Sequence, residues 1–366
     1  MIHWAVLIVG VLHGATFLYL LFRFQALKKP IQSNHEYSFS IIVPVRNEEK
    51  TILPLVEQIL ALDYPKEKFE VIIVDDSSED ATRKKLEILV AQQAVQLYSL
   101  PEGVVGKKKA LELGIEKANF EWIVTTDGDC EVPSTWLSSF NHFIEEGTHL
   151  IVGPVRMMAG NWLGRIQSFD FSLLIGYAAS LVGMGIPSMS NGANLCYRRA
   201  TFQDLGGYAG NDQIPSGDDE FLLLKVVKKY PDSIRFNNSP DAVVRTIAKP
   251  DFASLLNQRM RWLSKWTLHK NPRIISSVLL TLFDNLLMII GWVGVFTGFF
   301  PVWVLVVFVI RWVIKGLFSY KVNQLLKGKT YWLFAALYEL LYPFYVVLLS
   351  FASIFGYYTW KGRKYT

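Results

Sequence analysis

Apolar runs lie at the two ends of the chain, and a stretch of ordinary polarity separates them. The first run, residues 4–22, carries no charge and is about long enough to cross a bilayer as a helix. It lacks the basic start and the small-residue cleavage site of a signal peptide. We therefore expect residues 1–27 to form a retained transmembrane anchor. Arg23, Lys28 and Lys29 follow the run and place this end in the cytoplasm, with the N-terminus outside.

The C-terminal third contains three further apolar runs, at residues 275–300, 302–320 and 331–358. Basic residues precede the first run and follow the second, which predicts a hairpin that leaves the cytoplasm and returns. The last run contains Pro343 and is either one tilted span, which we favour, or a half-span broken at the proline. Asp284, Arg311 and Glu339 are costly in lipid and should face protein or water. Pairing between helices and a role in substrate passage are both open.

The middle of the chain alternates short apolar segments with helical patterns. We expect strands at residues 38–45, 69–76, 95–100 and 122–127, and helices at 48–61, 82–92 and 107–118. This alternation predicts a mostly parallel sheet covered by helices. In such sheets ligands bind outside the carboxyl ends of the strands. The apolar, glycine-rich stretch 171–186 looks interrupted, and we interpret it as interfacial and not as a span.

Composition narrows the class of protein. Hydrophobic residues make up 51% of the chain and charged residues 19%, which excludes a disordered chain and is unusual for a soluble enzyme. The net charge is +5, but the basic residues cluster beside the apolar runs, so we expect no nucleic-acid partner. Cys130 and Cys196 have no metal-type spacing, exclude a disulfide framework and are expected to be packing residues.

Carboxylates follow two of the expected strands. Asp75 and Asp76 end the second strand, and Asp127 and Asp129 end the fourth. Such clusters at one edge of a sheet repel each other unless a cation or a hydrogen-bonding ligand compensates. Their hard oxygen atoms suit Mg²⁺ or Mn²⁺ that carries a diphosphate. A D-x-D turn also arises by chance, and Asp-Asp-Ser is also a helix N-cap signal.

The order of the motifs resembles the GT-A domain of family 2 glycosyltransferases. The matching segments are IIVPVRNEE (41–49), VIIVDDSSED (71–80), GKKKALELGIEKA (106–118), TTDGD (125–129), SNGANLCYRRATFQDLGGY (190–208), SGDDEFLL (216–223) and QRMRW (258–262). The arrangement is similar to membrane-bound members such as ceramide glucosyltransferases and cellulose or hyaluronan synthases. It implies an α/β fold of GT-A type, with a Rossmann-like, mostly parallel sheet, flanking helices, and transmembrane helices at both ends.

The resemblance also implies a division of the chain. After the anchor we expect a cytosolic GT-A domain at 35–250, an amphipathic interfacial helix with the Q-x-x-R-W motif at 251–273, and C-terminal transmembrane helices at 274–360. The protein would be an integral protein of a bacterial inner membrane with its catalytic domain in the cytoplasm.

Roles for single residues come from the same resemblance. The nucleotide-sugar pocket would be lined by Pro44, Arg46, Glu48, Asp75, Lys107, Asp127 and Arg261. Asp127 and Asp129 would bind Mg²⁺ or Mn²⁺ with the diphosphate. For Lys107, a solvated charge at a helix start is an equal alternative.

The general base and the acceptor contacts complete the implied site. Asp219 would be the base, with Asp218 as a substitute, because the family's Glu-Asp pair is Asp-Asp here. An acidic helix N-terminus is the structural alternative. Acceptor contacts would come from Asn191, Asn194, Gln258 and Trp262. For the tryptophan, anchoring at the lipid–water boundary is the alternative.

The leading hypothesis is an inverting glycosyltransferase that moves a sugar from a nucleotide-sugar donor, a UDP-sugar, to a membrane-associated lipid or glycan acceptor. We favour a lipid acceptor because so few helices make a thin channel for a polymer. A processive polysaccharide synthase is the alternative. A non-catalytic, membrane-anchored nucleotide-binding protein is a hypothesis of another class.

Overall fold

The computed structural model describes residues 2–31, 35–92, 94–212, 214, 216–264, 272–355, 358–360 and 363–365. The chain forms two compact units. Unit 1 comprises Met1–Gln25, Ala159–Tyr177 and Ala248–Thr366, and unit 2 comprises Ala26–Met158 and Ala178–Ile247. Unit 2 therefore matches most of the domain expected at 35–250, but residues 159–177 belong to unit 1.

The elements follow the expected alternation. The strands are β1 (Phe39–Val45), β2 (Phe69–Asp75), β3 (Gln96–Ser99), β4 (Trp122–Thr125), β5 (Leu150–Val152), β6 (Val155–Met158), β7 (Leu195–Arg198), β8 (Ile234–Phe236), β9 (Val244–Ile247), β10 (Tyr358–Trp360) and β11 (Arg363–Tyr365). The helices are α1 (Ile2–Gln25), α2 (Ile52–Leu60), α3 (Thr82–Ala91), α4 (Lys107–Lys117), α5 (Trp136–Asn141), α6 (Trp162–Gly183), α7 (Arg199–Asp204), α8 (Asp218–Lys229), α9 (Phe252–Leu263), α10 (Pro272–Phe296), α11 (Leu305–Leu325) and α12 (Trp332–Phe355). Short 3₁₀ turns lie at Lys66–Lys68, Pro240–Ala242 and Val302–Val304.

A seven-stranded sheet organises unit 2, in the order β3-β2-β1-β4-β7-β5-β8. Its neighbouring strands are parallel except where β7 meets β4 and β5. The expectation of a mostly parallel α/β sheet is therefore confirmed. Every residue of β1 is buried, as its continuous apolar sequence predicts for a central strand.

The helices cover this sheet closely. α2 buries one apolar face, formed by Ile52, Leu55, Val56 and Ile59. α4 approaches β1 through Gly114, where a Cβ atom would lie 2.5 Å from Cγ2 of Ile42. Because β2, β1 and β4 are parallel neighbours, the loops that follow them share one edge of the sheet.

Among the residues that the structure describes, five helices are long and apolar enough to cross a membrane, by length and composition. They are His3–Gln25, Trp162–Gly183, Ile275–Phe296, Val302–Leu325 and Trp332–Ala352. This agrees with the expected apolar helices at both ends of the chain. The amphipathic helix expected at 251–273 is shorter, because α9 ends at Leu263 and residues 265–271 lie outside the described part of the chain.

Most of the stretch 171–186, expected to be interrupted, belongs to the continuous helix α6, which ends at Gly183. Gly176 lies inside this helix and lets α11 approach closely, because a Cβ there would lie 2.7 Å from Cζ of Phe318 and 2.5 Å from Cγ2 of Val322. A single crossing by α6 would put its two flanks on opposite sides of a bilayer. Both flanks belong to unit 2, so we keep the prediction that this segment is not a span.

The charged residues in the C-terminal helices are engaged with one another. Arg311 is buried and donates to both oxygen atoms of Asp284 at 2.7 and 3.0 Å, and its Nε donates to Glu339. Lys315 donates to the second oxygen of Glu339 at 2.7 Å, and His13 lies 3.0 Å from Asp284. Pairing between helices, one of the two open alternatives, therefore accounts for these charges.

The last apolar run forms one helix, α12, which continues through Pro343, so the half-span broken at the proline does not form. Its start adjoins the end of α11, where Asn323 Nδ2 lies 3.5 Å from Thr330 Oγ1. After the helix, Thr359 of β10 donates to Asn257 of α9 at 2.8 Å and accepts from it at 2.5 Å.

α9 belongs to the same side of unit 1 as the start of α12. Asn161, just before α6, donates to the carbonyl of Pro250, just before α9, at 2.9 Å. In the first turn of α6, Arg165 stacks on the rings of Tyr331 and Phe334 at the start of α12. These contacts favour both ends of α12 on one side of the membrane. The single outward span stays a prediction, since α12 is long and apolar enough to cross.

We expect Thr359 to face the same side of the membrane as Lys329. Single-cysteine variants Thr359→Cys, Lys329→Cys and Phe299→Cys should be labelled with a membrane-impermeant maleimide in right-side-out and inverted vesicles. Thr359→Cys should label with Lys329→Cys, in the loop before α12, and opposite to Phe299→Cys, in the exposed turn after α10. If Thr359→Cys is labelled together with Phe299→Cys, this expectation is wrong and α12 crosses the membrane as a single outward span.

Candidate active site

Lys107 joins two acidic motifs that are far apart in the sequence. It is the first residue of α4, and its ammonium lies 2.7 Å from Asp127 Oδ1 and 3.2 Å from Asp218 Oδ2. Burial by itself would lower the pKa of Lys107, but Asp127 and Asp218 outweigh it and raise the pKa above its ordinary value. The lysine is therefore a fixed positive charge within the acidic cluster, and the alternative of a solvated helix-start charge does not hold.

Asp219 lies beside this cluster at the start of α8. Its Oδ2 accepts from the backbone N–H of Gly192 at 2.9 Å, and its Oδ1 accepts from Glu220 N–H at 2.8 Å. Gly192 is itself held by Thr125, the last residue of β4, whose hydroxyl donates to the Gly192 carbonyl at 2.8 Å. The expected base and the N-G-A-N loop therefore meet at the end of β4.

Two carboxylates at the end of β2 stabilise the loop that follows this strand. Asp75 is buried and accepts from the N–H and the hydroxyl of Ser78, at 3.2 and 2.5 Å. Asp76 is also buried and accepts from the N–H of Gly106 at 3.0 Å, which fixes the residue before Lys107. Neither aspartate caps a helix, because α3 begins at Thr82 and the residue at its N-cap is Ala81, so the N-cap alternative does not hold. A contact between Asp75 and a nucleotide base stays a prediction.

Residues of the first motif hold this loop in place. Arg46 is buried and donates to the carbonyls of Asp76 and Ser77 at 2.8 and 2.5 Å and to Glu79 at 2.7 Å. Pro44 is buried within β1. The structure therefore gives Arg46 a positioning role, while contacts of Pro44 and Arg46 with a nucleotide stay predictions.

The D-x-D turn lies against the end of β1. A Cβ atom on Gly128 would lie 3.0 Å from Cγ of Glu48 and 3.2 Å from Cγ1 of Val45, so a side chain there would require these neighbours to move by a few tenths of an ångström. Asp127 and Asp129, on either side of the glycine, are partly exposed.

Two aspartates of this kind fit a hard divalent cation. Mg²⁺ is commonly held by one or two carboxylates together with substrate phosphates, and Asp127 and Asp129 supply oxygen donors of that type. Within the described residues, no three His, Cys, Asp or Glu side chains are grouped as a metal site. The remaining ligands of such a cation would come from substrate phosphates and water.

Asn194 requires a correction. It is fully buried, its Oδ1 accepts from Trp136 Nε1 at 2.9 Å, and its Nδ2 donates to the carbonyls of Pro154 and Ala242, each at 2.8 Å. The predicted acceptor contact does not fit this geometry, because the side chain is used within the scaffold. Asn191 is partly exposed, its Oδ1 accepts from Ala193 N–H at 3.0 Å, and its contact with the acceptor stays a prediction.

The Q-x-x-R-W residues belong to unit 1. Gln258, Arg261 and Trp262 lie on α9, which is capped by Asp251 through a hydrogen bond from Ser254 N–H at 2.8 Å. The other expected site residues belong to unit 2, so the roles of these three stay predictions.

Both cysteines are buried and free. Burial raises the pKa of each thiol well above its ordinary value, and Asp129 and Asp127 add to this effect at Cys130. A protonated, buried thiol is a poor nucleophile, which agrees with a packing role.

Comparisons with known proteins agree with this geometry. Residues 40–206 match the sequence model of the family described as Glycosyl transferase family 2. The match covers less than half of the chain, and it shows that this part of the chain is similar to that family. The poly-beta-1,6-N-acetyl-D-glucosamine synthase of Staphylococcus aureus is 26% identical over 248 residues, which cover 66% of this chain and 57% of the synthase. The match thus spans little more than half of that relative.

Two further relatives extend the comparison. Glycosyltransferase AglE of Haloferax volcanii is 27% identical over 228 residues, which cover 61% of this chain and 70% of AglE. A solved structure, the mannosyltransferase PcManGT from Pyrobaculum calidifontis in complex with GDP-Man and Mn²⁺, superposes with a TM-score of 0.62. It is 18% identical and covers 93% of this chain and 99% of its own, so it shows the fold. The expected GT-A type fold is confirmed.

Two contributors to the candidate site were not expected from the sequence. They are the Thr125 hydroxyl and the backbone N–H of Gly192. Both depend on the antiparallel pairing of β4 with β7, which the alternation of strands and helices did not indicate. The Asp76 carboxylate was expected at this edge, but its hydrogen bond with Gly106 was not.

We expect Asn194→Ala to destabilise the domain by about 3 kcal/mol, because it leaves the Trp136 N–H and two buried carbonyls unpaired. Thermal unfolding of the detergent-solubilised protein would measure this. Asn191→Ala is the matched control and should cost about 1 kcal/mol or less, since it removes one local turn contact. Equal stability of the two variants would contradict the scaffold role of Asn194.

Proposed function

We propose that the protein is an inverting glycosyltransferase that transfers a sugar from a nucleotide-sugar donor to an acceptor at the membrane. The observation that carries this proposal is the meeting of Asp127, Asp218 and Asp219 around Lys107 and Gly192. These residues come from four separate motifs and lie at the edge where parallel sheets bind ligands. The similarity to family 2 supports the same reaction class.

The donor would bind above the ends of β1, β2 and β4. Asp127 and Asp129 would hold Mg²⁺ or Mn²⁺, and the cation would neutralise charge on the departing diphosphate. Lys107 adds a fixed positive charge at the same place, and Arg261 would pair with the diphosphate through its guanidinium. The Mn²⁺ and the GDP-Man of the similar mannosyltransferase favour this arrangement, and a UDP-sugar is our proposal for the donor.

Asp219 is the better candidate for the general base. Lys107 lies 3.2 Å from Asp218, and a carboxylate paired with an ammonium is a poorer proton acceptor. Backbone N–H groups orient Asp219, which would take the proton of the acceptor hydroxyl as it attacks the anomeric carbon. A single displacement with one base inverts the configuration at that carbon.

The acceptor is proposed to be a lipid. The charged residues Asp284, Arg311 and Glu339 of the apolar helices pair with one another. This pairing gives little support for a polar channel through which a growing polymer could pass. The similarity to a poly-beta-1,6-N-acetyl-D-glucosamine synthase favours the second candidate, a processive polysaccharide synthase. In both cases we propose an integral membrane protein with its glycosyltransferase domain in the cytoplasm.

Asp219→Asn is expected to lower kcat by about 10²- to 10⁴-fold with donor binding retained, because the amide cannot accept the proton. Asp129→Asn should instead weaken donor binding that depends on Mn²⁺. Initial rates and nucleotide-binding isotherms with and without EDTA would separate the two effects. Asp204→Asn, which changes an exposed carboxylate paired with Lys229, is the control. Parent-like transfer by both site variants would refute the assignment.

The size of the product distinguishes single transfer to a lipid from processive synthesis of a polysaccharide. Membranes incubated with labelled nucleotide sugars should yield a solvent-extractable product that carries one sugar, as single transfer to a lipid requires. Mass analysis of the extract would identify the sugar and the lipid. A retained, high-molecular-weight product that glycosidase digestion breaks down would instead favour the synthase.

A further inference from the structure

The QRMRW helix contains a second arginine that the motif does not use. Arg259 and Leu255 are the buried residues of α9. The guanidinium of Arg259 lies 2.5 Å from Asp170 Oδ2, and its carbon lies 4.5 Å from the centre of the Trp262 ring. Arg259 thus bridges a carboxylate of α6 and the aromatic residue of the motif.

Asp170 is fixed in turn by the last helix. Its Oδ1 accepts from the hydroxyl of Tyr338 on α12 at 2.8 Å, and both side chains are buried. The residue that follows it, Phe171, places its ring 6.3 Å from that of Trp262. The indole therefore has the guanidinium and a second aromatic ring as neighbours, and both depend on the position of α6.

This series of contacts, from Tyr338 through Asp170 and Arg259 to Trp262, is sensitive to the loss of any one side chain. A buried carboxylate and guanidinium are stable only as a well-formed pair, because desolvation of an unpaired charge is costly. A planar guanidinium over an indole is the most favourable cation–π arrangement in proteins. Together the contacts favour the orientation of the Trp262 ring that the structure shows.

We propose that Tyr338, Asp170 and Arg259 are positioning residues that hold the ring of Trp262 in the orientation that receives the acceptor. This rests on the proposed function, in which Trp262 contacts the acceptor. It adds residues from α6 and α12 to a motif that lies entirely on α9. Acceptor affinity then depends on a hydroxyl, a carboxylate and a guanidinium that need not touch the acceptor themselves.

Kinetics with varied acceptor and varied donor test the proposal. Asp170→Asn keeps the size of the side chain but removes its charge, and should raise the acceptor KM about tenfold. Tyr338→Phe removes one hydroxyl and should raise it about threefold. The donor KM should stay within about twofold of the parent value in both. Asp170→Asn combined with Arg259→Met should be no worse than Arg259→Met alone, because the two residues act as one unit.

Two matched controls separate positioning from stability. Asp251→Asn makes the same chemical change at the cap of α9 and should lower Tm without changing the acceptor KM. Tyr331→Phe makes the same change as Tyr338→Phe at the start of α12 and should leave the acceptor KM at the parent value. An acceptor KM that is unchanged in Asp170→Asn and Tyr338→Phe, or a donor KM that rises equally, would overturn the proposal.

A spectroscopic measurement makes the result independent of activity. In protein labelled with 5-fluorotryptophan, Trp262→Phe assigns one ¹⁹F resonance. That resonance should shift or broaden in Asp170→Asn and Arg259→Met while the others stay in place. If it moves but the parent transfers no sugar from any nucleotide donor, the proposed function fails and the positioning of the ring stands. An unmoved resonance overturns the proposal.

Discussion

The candidate site depends on charge compensation by one ammonium group. Asp127 follows a strand, Asp218 begins a helix 91 positions further along (218 − 127), and mutual repulsion opposes their approach. Lys107, on α4, lies within 3.2 Å of both. The position of α4 is itself set from two sides, by the hydrogen bond from Gly106 to Asp76 and by the close approach of Gly114 to β1.

The second constraint is the burial of polar groups that shape the loops. Asn194 satisfies an indole N–H and two carbonyls at once, and Arg46 satisfies two carbonyls and a carboxylate of the next loop. Buried groups of this kind are costly unless all are paired, so each loop has one arrangement. The candidate base is oriented in the same way, through a backbone N–H instead of a second side chain.

The sequence alone was sufficient to predict the strands and helices of the parallel half of the sheet. The four expected strands and three expected helices form within a few residues of their predicted bounds. In a sheet covered by helices, a continuous apolar run is buried as a strand and an apolar stripe with helical spacing packs as a helix. The sequence was insufficient wherever a side chain is paired through tertiary contact. The residue type of Asn194 fits an acceptor contact as well as a scaffold role. Its burial depends on Trp136 and on two loops, which are distant in the sequence. Residues 159–177 looked like part of the domain, whereas Asp170, Ser172 and Gly176 contact α9, α11 or α12.

The backbone at Gly192 limits which residues of the candidate site can be redesigned. A Cβ atom there would lie 2.9 Å from Asp218 Oδ2 and 3.2 Å from the nitrogen of Lys107, two groups held in place by their mutual attraction. Even alanine would have to push the counter-ions apart. Libraries that aim to change acceptor preference should therefore vary position 191 and leave 192 as glycine. Side chains can therefore be varied in this loop up to position 191, whereas position 192 adjoins Asp218 and Lys107.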